Sequence, residues 1–311
     1  MEVPILIFLI FLIVFFFVNA PRYLVAFNII TLIRWISAVA LIALGESLVI
    51  CVGGIDLSAG SFIALSNVLV AIFMIWYKIP TGIAICMVVA LAMMIGLGQG
   101  SFCVRFSPPL PFIAPAFVIS LGTYYVAYGL AVLITKGYPI VPVPNDFSYI
   151  AYGLVGGIVP VPFILILGAL FLAIYIVRVI PFGNHILAVG GNPDAALFSG
   201  VNVKKVRVFA FAWAGAMYGV AGVLIGGLIN EGNPGVGPQY LLIAIAAPVL
   251  GGVSLAGGSI SLIGILIGAA VTQVISSGFV FLTVSPYYTD IVMGILLVSA
   301  VTLDLIRRLK V

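Results

Sequence analysis

The sequence predicts an all-α polytopic membrane protein of about ten transmembrane helices, with two of the helices broken in a matched way. Composition is the first observation. Of 311 residues, 64% are hydrophobic and 6% charged, and the mean hydropathy is +1.40, whereas a soluble domain carries about 25% charged residues to face water. The second is length: the apolar runs recur at the ~20 residues a spanning helix needs. The third is the stretch Val52-Gly53-Gly54-Ile55-Asp56-Leu57-Ser58-Ala59-Gly60-Ser61, which sets two glycines and a carboxylate inside otherwise apolar sequence. Its pattern GGxxLxxGS returns at Gly251-Gly252-Val253-Ser254-Leu255-Ala256-Gly257-Gly258-Ser259. No stretch is long and polar enough for a separate soluble unit. The expectation is one membrane domain over 1–311, with halves at about 28–160 and 162–305 and a polar cytoplasmic loop at 180–206 within the second half.

Taken in order, Val3 to Val18 is a first apolar run. Val18-Asn19-Ala20 resembles a leader cleavage site, but Pro21 follows it and Glu2 stands where a basic residue belongs, so a retained helix is expected. Arg22 to Thr31 is an amphipathic connector. Spans follow at about 32–52 and 60–77 around the first break, then at 81–103 and 112–135. Lys136 to Pro160 is polar and proline-rich and reads as a loop. Spans at about 162–180 and 206–229 flank the polar segment, and Asn230 to Pro238 reads as another loop. A span at about 239–250 runs into the second break, and the last two lie at about 259–282 and 287–305. Gly264-xxx-Gly268 has the spacing that lets two helices approach closely.

The net charge of +4 is small and confined to loops, so it speaks of topology and not of nucleic acid. With ten spans, both termini share a side with Arg105, Arg178, Lys204, Lys205, Arg207, Arg307, Arg308 and Lys310. Arg22, Arg34, Lys78 and Lys136 fall on the other. This bias places the termini and the 178–207 loop in the cytoplasm.

Asp56 has two readings, a polar group beside a substrate path or an N-cap for the helix that restarts near Ser58. Ser254 holds the matching position in the second break and is equally able to cap, which favours capping. Glu46 lies ten residues before Asp56, about 80° away around the helix, and is not expected to pair with it. An intramembrane acid is a functional candidate by default. Broken helices place transport pathways, so Glu46, Asp56, Ser58, Ser61 and Ser254 are pathway candidates, with Gly53, Gly54, Gly251 and Gly252 making the breaks. Tyr124 and Tyr128, one turn apart, could stack on a ring, although packing is the commoner use. His185 has no second ligand or base. Cys51, Cys86 and Cys103 lack metal-ligand spacing and read as buried, inert thiols.

Gly190-Gly191-Asn192-Pro193-Asp194-Ala195-Ala196-Leu197-Phe198-Ser199-Gly200 reads as a short helix. Asn192 is its cap, Pro193 its first residue, Asp194 complements the dipole, and Gly200 ends it. Its apolar turn would lie on the membrane or dock in a groove of another protein. Both readings stand on the residues alone.

GGIDLSAGS closely resembles the signature of the permease subunits of sugar ATP-binding-cassette importers, the ribose-permease-like family. Leu44-Gly45-Glu46, Leu121-Gly122-Thr123 through Ile140, Ala188 through Val201, and Ala246 through Gly258 are similar to other segments of that family, in order, over about 28–305. The resemblance implies that Asn192, Asp194, Ala195, Ala196, Leu197, Phe198 and Gly200 form a coupling helix that docks on a cytoplasmic ATPase. It also implies a second permease copy, identical or paralogous, an extracellular sugar-binding protein, and residence in a prokaryotic inner membrane. No GxxxxGK[ST] phosphate loop occurs, so this chain is expected to be no enzyme, to bind no cofactor or metal, and to draw on ATP through its partner. A nucleoside importer and an ion-coupled secondary transporter are the alternatives.

Overall fold

The computed structural model describes residues 2–107, 111–285 and 287–309, with side chains as far as 302. The basic tail of Arg307, Arg308 and Lys310, read above as a topology signal, has its side chains outside that range. The helices are α1 (Glu2–Asn19), α2 (Ala26–Cys51), α3 (Ala59–Ile75), α4 (Thr81–Arg105), α5 (Ile113–Thr135), α6 (Asn145–Tyr152), α7 (Val161–Ile174), α8 (Phe182–Gly191), α9 (Pro193–Phe198), α10 (Val203–Ile229), α11 (Tyr240–Leu250), α12 (Leu262–Phe281) and α13 (Tyr287–Leu309). A π-turn at Tyr175–Val179 extends α7. Among the described residues seven helices are long and apolar enough to cross a membrane: α1, α2, α4, α5, extended α7, α10 and α12. Three more, α3, α11 and α13, are apolar but shorter over their described residues. The chain is an all-α polytopic membrane protein.

In lipid the hydrophobic effect does not drive one helix onto another, so close packing depends on small residues that let backbones approach. The core follows that rule. α10 lies at the centre against α4, α2 and α3, and its glycines interlock with theirs. A Cβ added to Gly215 would sit 2.4 Å from the Ala92 carbonyl oxygen, and one added to Gly96 would sit 2.3 Å from that of Phe211. The Gly264-xxx-Gly268 pair works in the same way, because added Cβ atoms would meet the Gly251 and Ala247 carbonyls at 1.9 and 2.0 Å. α1 is seated on α12 with Phe16 against Gly278. α2 is buried continuously from Ser37 to Cys51.

Four expectations change. The connector Arg22–Thr31 is largely helical: Pro21–Leu24 is a 3-10 turn and α2 already begins at Ala26, since nothing in FNIIT stops a helix. Lys136–Pro160 is structured, with α6 and a small hairpin of β1 (Leu154–Val155) and β2 (Val159–Pro160). Arg34 is no interface charge. It is buried, its Nη2 donates to the Tyr152 carbonyl at 2.7 Å, and its guanidinium lies 5.1 Å from the Tyr152 ring centroid, so it fixes α6 on α2. Cys86 is exposed on the bundle surface, while Cys51 and Cys103 are buried as expected.

The bundle has two ends. Arg105, α8, α9 and the start of α10 mark one. Lys78, Lys136 and α6 mark the other, where the Thr81 hydroxyl donates to the Asp146 carboxylate.

Candidate functional site

Both breaks are built on the same cap. At the end of α2, Gly53 adopts φ +82 and donates to the Ile50 carbonyl at 2.9 Å, while Gly54 donates to Val49 at 2.9 Å. At the end of α11, Gly252 adopts φ +90 and donates to Val249, while Val253 donates to Pro248, both at 3.0 Å. This is the paired hydrogen-bond pattern of a helix ending in a left-handed glycine. The caps make Gly53 equivalent to Gly252, one residue out of step with the sequence repeat, which had matched it to Gly251. The sequence equivalence of Asp56 with Ser254 therefore does not carry over to the caps.

The N-caps also differ from expectation. α3 begins after Ser58, and Asp56 lies two residues further back. α12 is capped by Ser261, whose Oγ accepts from Gly264 N at 2.9 Å, and not by Ser254. Ser254 is buried, with its backbone N–H facing the Ser259 carbonyl at 3.4 Å.

Asp56 instead anchors a buried network. Its Oδ1 accepts from Ser58 N at 2.8 Å, from Gln99 Nε2 at 2.9 Å and from the Ser58 hydroxyl. Glu46 joins it, contrary to the helical-wheel expectation. Its Oε1 accepts from Asp56 N at 3.0 Å and its Oε2 from the Tyr218 hydroxyl at 2.5 Å. The wheel failed because α2 ends at Cys51 and the Gly53 turn folds Asp56 back beside it, where the backbone N–H and not the carboxylate meets Glu46. Ser120 Oγ accepts from Leu57 N at 3.0 Å and ties the loop to α5, and Ser61 Oγ donates to the Ser58 carbonyl at 2.7 Å. Glu46, Ser58 and Ser61 are 0% exposed and Asp56 2%. Gln99, Ser120 and Tyr218 are partners that sequence reading missed. Each is a polar group within a largely apolar helix, a signal that could have drawn attention to it.

The breaks touch. Gly258 N donates to the Cys51 carbonyl at 2.9 Å. The end of α8 fills the remaining gap: a Cβ on Gly190 would sit 1.8 Å from that oxygen and 2.3 Å from Gly258 N.

From this junction the chain leads straight into α9. Asn192 Oδ1 accepts from Asp194 N at 3.1 Å and from Ala195 N at 3.0 Å, with Pro193 in the first turn. Gly200, at φ +84, donates to Leu197, and Val201 donates to Ala196, both at 3.0 Å. Ala196 is 5% exposed and packs inward, whereas Leu197 is 59% and Phe198 90% exposed. Ala196 thus faces the bundle, and Leu197 and Phe198 are the apolar side chains that α9 turns outward. Beside α9 opens a cleft of about 740 Å³ whose walls include Phe112, Leu197, Lys204 and Arg207. The Arg207 guanidinium lies 4.0 Å from the Phe112 ring centroid.

Tyr124 and Tyr128 stack on each other, with centroids 5.8 Å apart and planes at 10°. Both are half-buried. His185 packs edge-on against Phe182 at 6.2 Å. Among the described residues no cluster of His, Cys, Asp and Glu could hold a metal.

Residues 28–301 match the family described as branched-chain amino acid transport system / permease component. Ribose import permease protein RbsC of Bacillus subtilis is 35% identical over 91% of this chain and 86% of its own length. Galactose/methyl galactoside import permease protein MglC of Haemophilus influenzae is 33% identical, over 93% and 90%. Xylose transport system permease protein XylH of the same organism is 29% identical, over 93% and 91%. No solved structure matches the chain at a significant level.

Proposed function

The chain belongs to the family of the branched-chain amino acid transport system permease component, and on that premise we propose that it is the membrane-spanning subunit of an ATP-driven importer of a small sugar. The family description covers the machine, while the relatives indicate the cargo: they are named for ribose, xylose and galactose or methyl galactoside. A pentose or hexose is accordingly the substrate class, and none of these relatives is named for a nucleoside.

The observation that carries the reading is α9. A helix of six residues is far too short to hold together by itself in water, yet this one is capped at both ends and presents Leu197 and Phe198 outward. Such a helix has use for a partner's groove. An ATPase subunit bound there would also cover the cleft lined by Lys204 and Arg207. On this reading α3, α11 and α13 cross with the seven long helices to give ten spans, which their apolar character supports. The basic residues near α9 support a cytoplasmic position for that end and for both termini. Two copies, identical or paralogous, enclose the path, and an extracellular binding protein delivers the sugar. Glu46, Asp56, Ser58 and Ser61 lie behind the lining and hold the break in shape.

The test is reconstitution into vesicles with the ATPase subunit and binding protein loaded in turn with ribose, xylose and galactose. Uptake of at least one sugar that requires ATP hydrolysis is expected. Uptake driven by an ion gradient without ATP would overturn the reading.

A further inference from the structure

The segment Asn230–Gln239, read from sequence as a loop, does not stay at the end of the bundle. Gly232 is bridged to Ile140 by hydrogen bonds of 2.9 and 3.0 Å, and from there the chain runs down α3. A Cβ on Gly232 would meet the Ala71 side chain at 2.5 Å. Asn233 N and its carbonyl are clamped by the Asn67 side-chain amide at 3.2 and 3.0 Å. A Cβ on Gly237 would meet Ala64 at 2.9 Å and the Gly60 carbonyl at 2.2 Å.

Positions 71, 67, 64 and 60 form one stripe of α3, so the segment descends about 16 Å. Gly237 then lies about 22 Å below Ile75, deep within a hydrocarbon layer about 30 Å thick. α11 starts from that depth, which accounts for its being only 11 residues long.

Irregular, polar backbone at such depth exists only where protein buries it or water reaches it. One flank is buried against α3, but Gly235, Pro238 and Gln239 are exposed and Glu231 and Asn233 are half-exposed. Asn233 Nδ2 donates to Glu231 Oε1 at 2.7 Å, and Asn233 Oδ1 accepts from Gly235 N at 2.8 Å. α5 packs beside this turn, with Tyr124 Cε2 3.6 Å from where a Gly60 Cβ would stand. The turn at Gly237 thus brings the exposed Gln239 amide to the level of Tyr124 and its stacked partner Tyr128, while the Glu231 carboxylate stands about 16 Å nearer the outer end of the same segment. A sugar offers that combination its complement: hydroxyls for the amide and carboxylate, and a C–H face for a ring.

We propose that the descending segment forms, with Tyr124 and Tyr128, the sugar-contacting lining of the translocation path, Gln239 and Glu231 binding hydroxyls. This rests on the importer reading above.

The test uses the assembled transporter in vesicles, with Cys51, Cys86 and Cys103 replaced by alanine. Gln239→Cys is expected to react with a charged, water-soluble methanethiosulfonate reagent at least about tenfold faster than Met94→Cys, a control on the exposed face of α4 at similar depth. Pro238→Cys substitutes if Gln239→Cys does not assemble. Gln239→Leu should lower maximal sugar uptake about tenfold, the worth of a good hydrogen bond, and Gln239→Asn should recover most of it. Reaction no faster than at Met94→Cys, in a transporter that still performs ATP-driven sugar uptake, overturns this inference alone. Absence of ATP-driven uptake before any Gln239 change removes the importer reading instead.

Discussion

Gly190→Ala tests the junction between the breaks and α9. The added methyl would lie 1.8 Å from the Cys51 carbonyl oxygen and 2.3 Å from Gly258 N. Both are backbone atoms, so no side chain can swing away, and the end of α8 must move. Overpacking of this kind costs about 1–3 kcal/mol. The Gly258 N to Cys51 bond at 2.9 Å must lengthen as well, for about 1 kcal/mol more. Against this, alanine is better than glycine in a helix by about 1 kcal/mol. The net loss is about 1–3 kcal/mol. Gly191 is the internal control: it is also in α8, but a Cβ there meets nothing within 4 Å. Gly191→Ala keeps the propensity gain without the clash and should leave stability unchanged or slightly higher. Thermal unfolding of the purified protein in detergent reads the contrast, with a fall of several degrees for Gly190→Ala only, accompanied by reduced transport. Equal midpoints for the two variants would refute the packing argument.

At α9, Phe198→Asp and Leu197→Asp should insert normally but fail to co-purify with the ATPase. Ala196→Asp should impair the chain itself, seen as lower yield and thermal midpoint, because that residue packs inward. In the acid network, Asp56→Asn keeps an acceptor oxygen and should retain most stability. Asp56→Leu strands the Ser58 backbone N–H and Gln99 Nε2 at about 1–3 kcal/mol each, while the Ser58 hydroxyl keeps Gln99 Oε1 as an acceptor at 3.1 Å, and should lower the thermal midpoint. Single cysteines at Asn145 and Ser199, in a background without the native three, should label from opposite sides of sealed vesicles.

Apolar runs, glycine pairs and the Asn192-Pro193 cap depend on local spacing, which is why the helices and α9 could be placed from sequence. Three of the missed features depend on a turn that changes direction. Glu46 meets Asp56 only because Gly53 reverses the chain, and a helical wheel presumes a continuous helix. The repeat pattern aligned Asp56 with Ser254, but chain reversal is set by which glycine takes the left-handed conformation, and that shifts the match by one. Asn230–Gln239 reads as an outer loop because polarity resembles exposure to solvent. Its descent is settled by contacts with α3, distant in sequence.

The Glu46–Tyr218 bond spans 172 residues of sequence, and chains grow from the N-terminus. At about 5–20 residues per second, α2 waits on the order of ten to thirty seconds for its tyrosine to be made. Throughout that interval the acid sits in a nascent helix whose nearby partner is the Asp56 amide, ten residues on. The Gly53-Gly54 reversal uses only residues already made at that point, so it can offer Glu46 a partner in its own following turn before α10 exists.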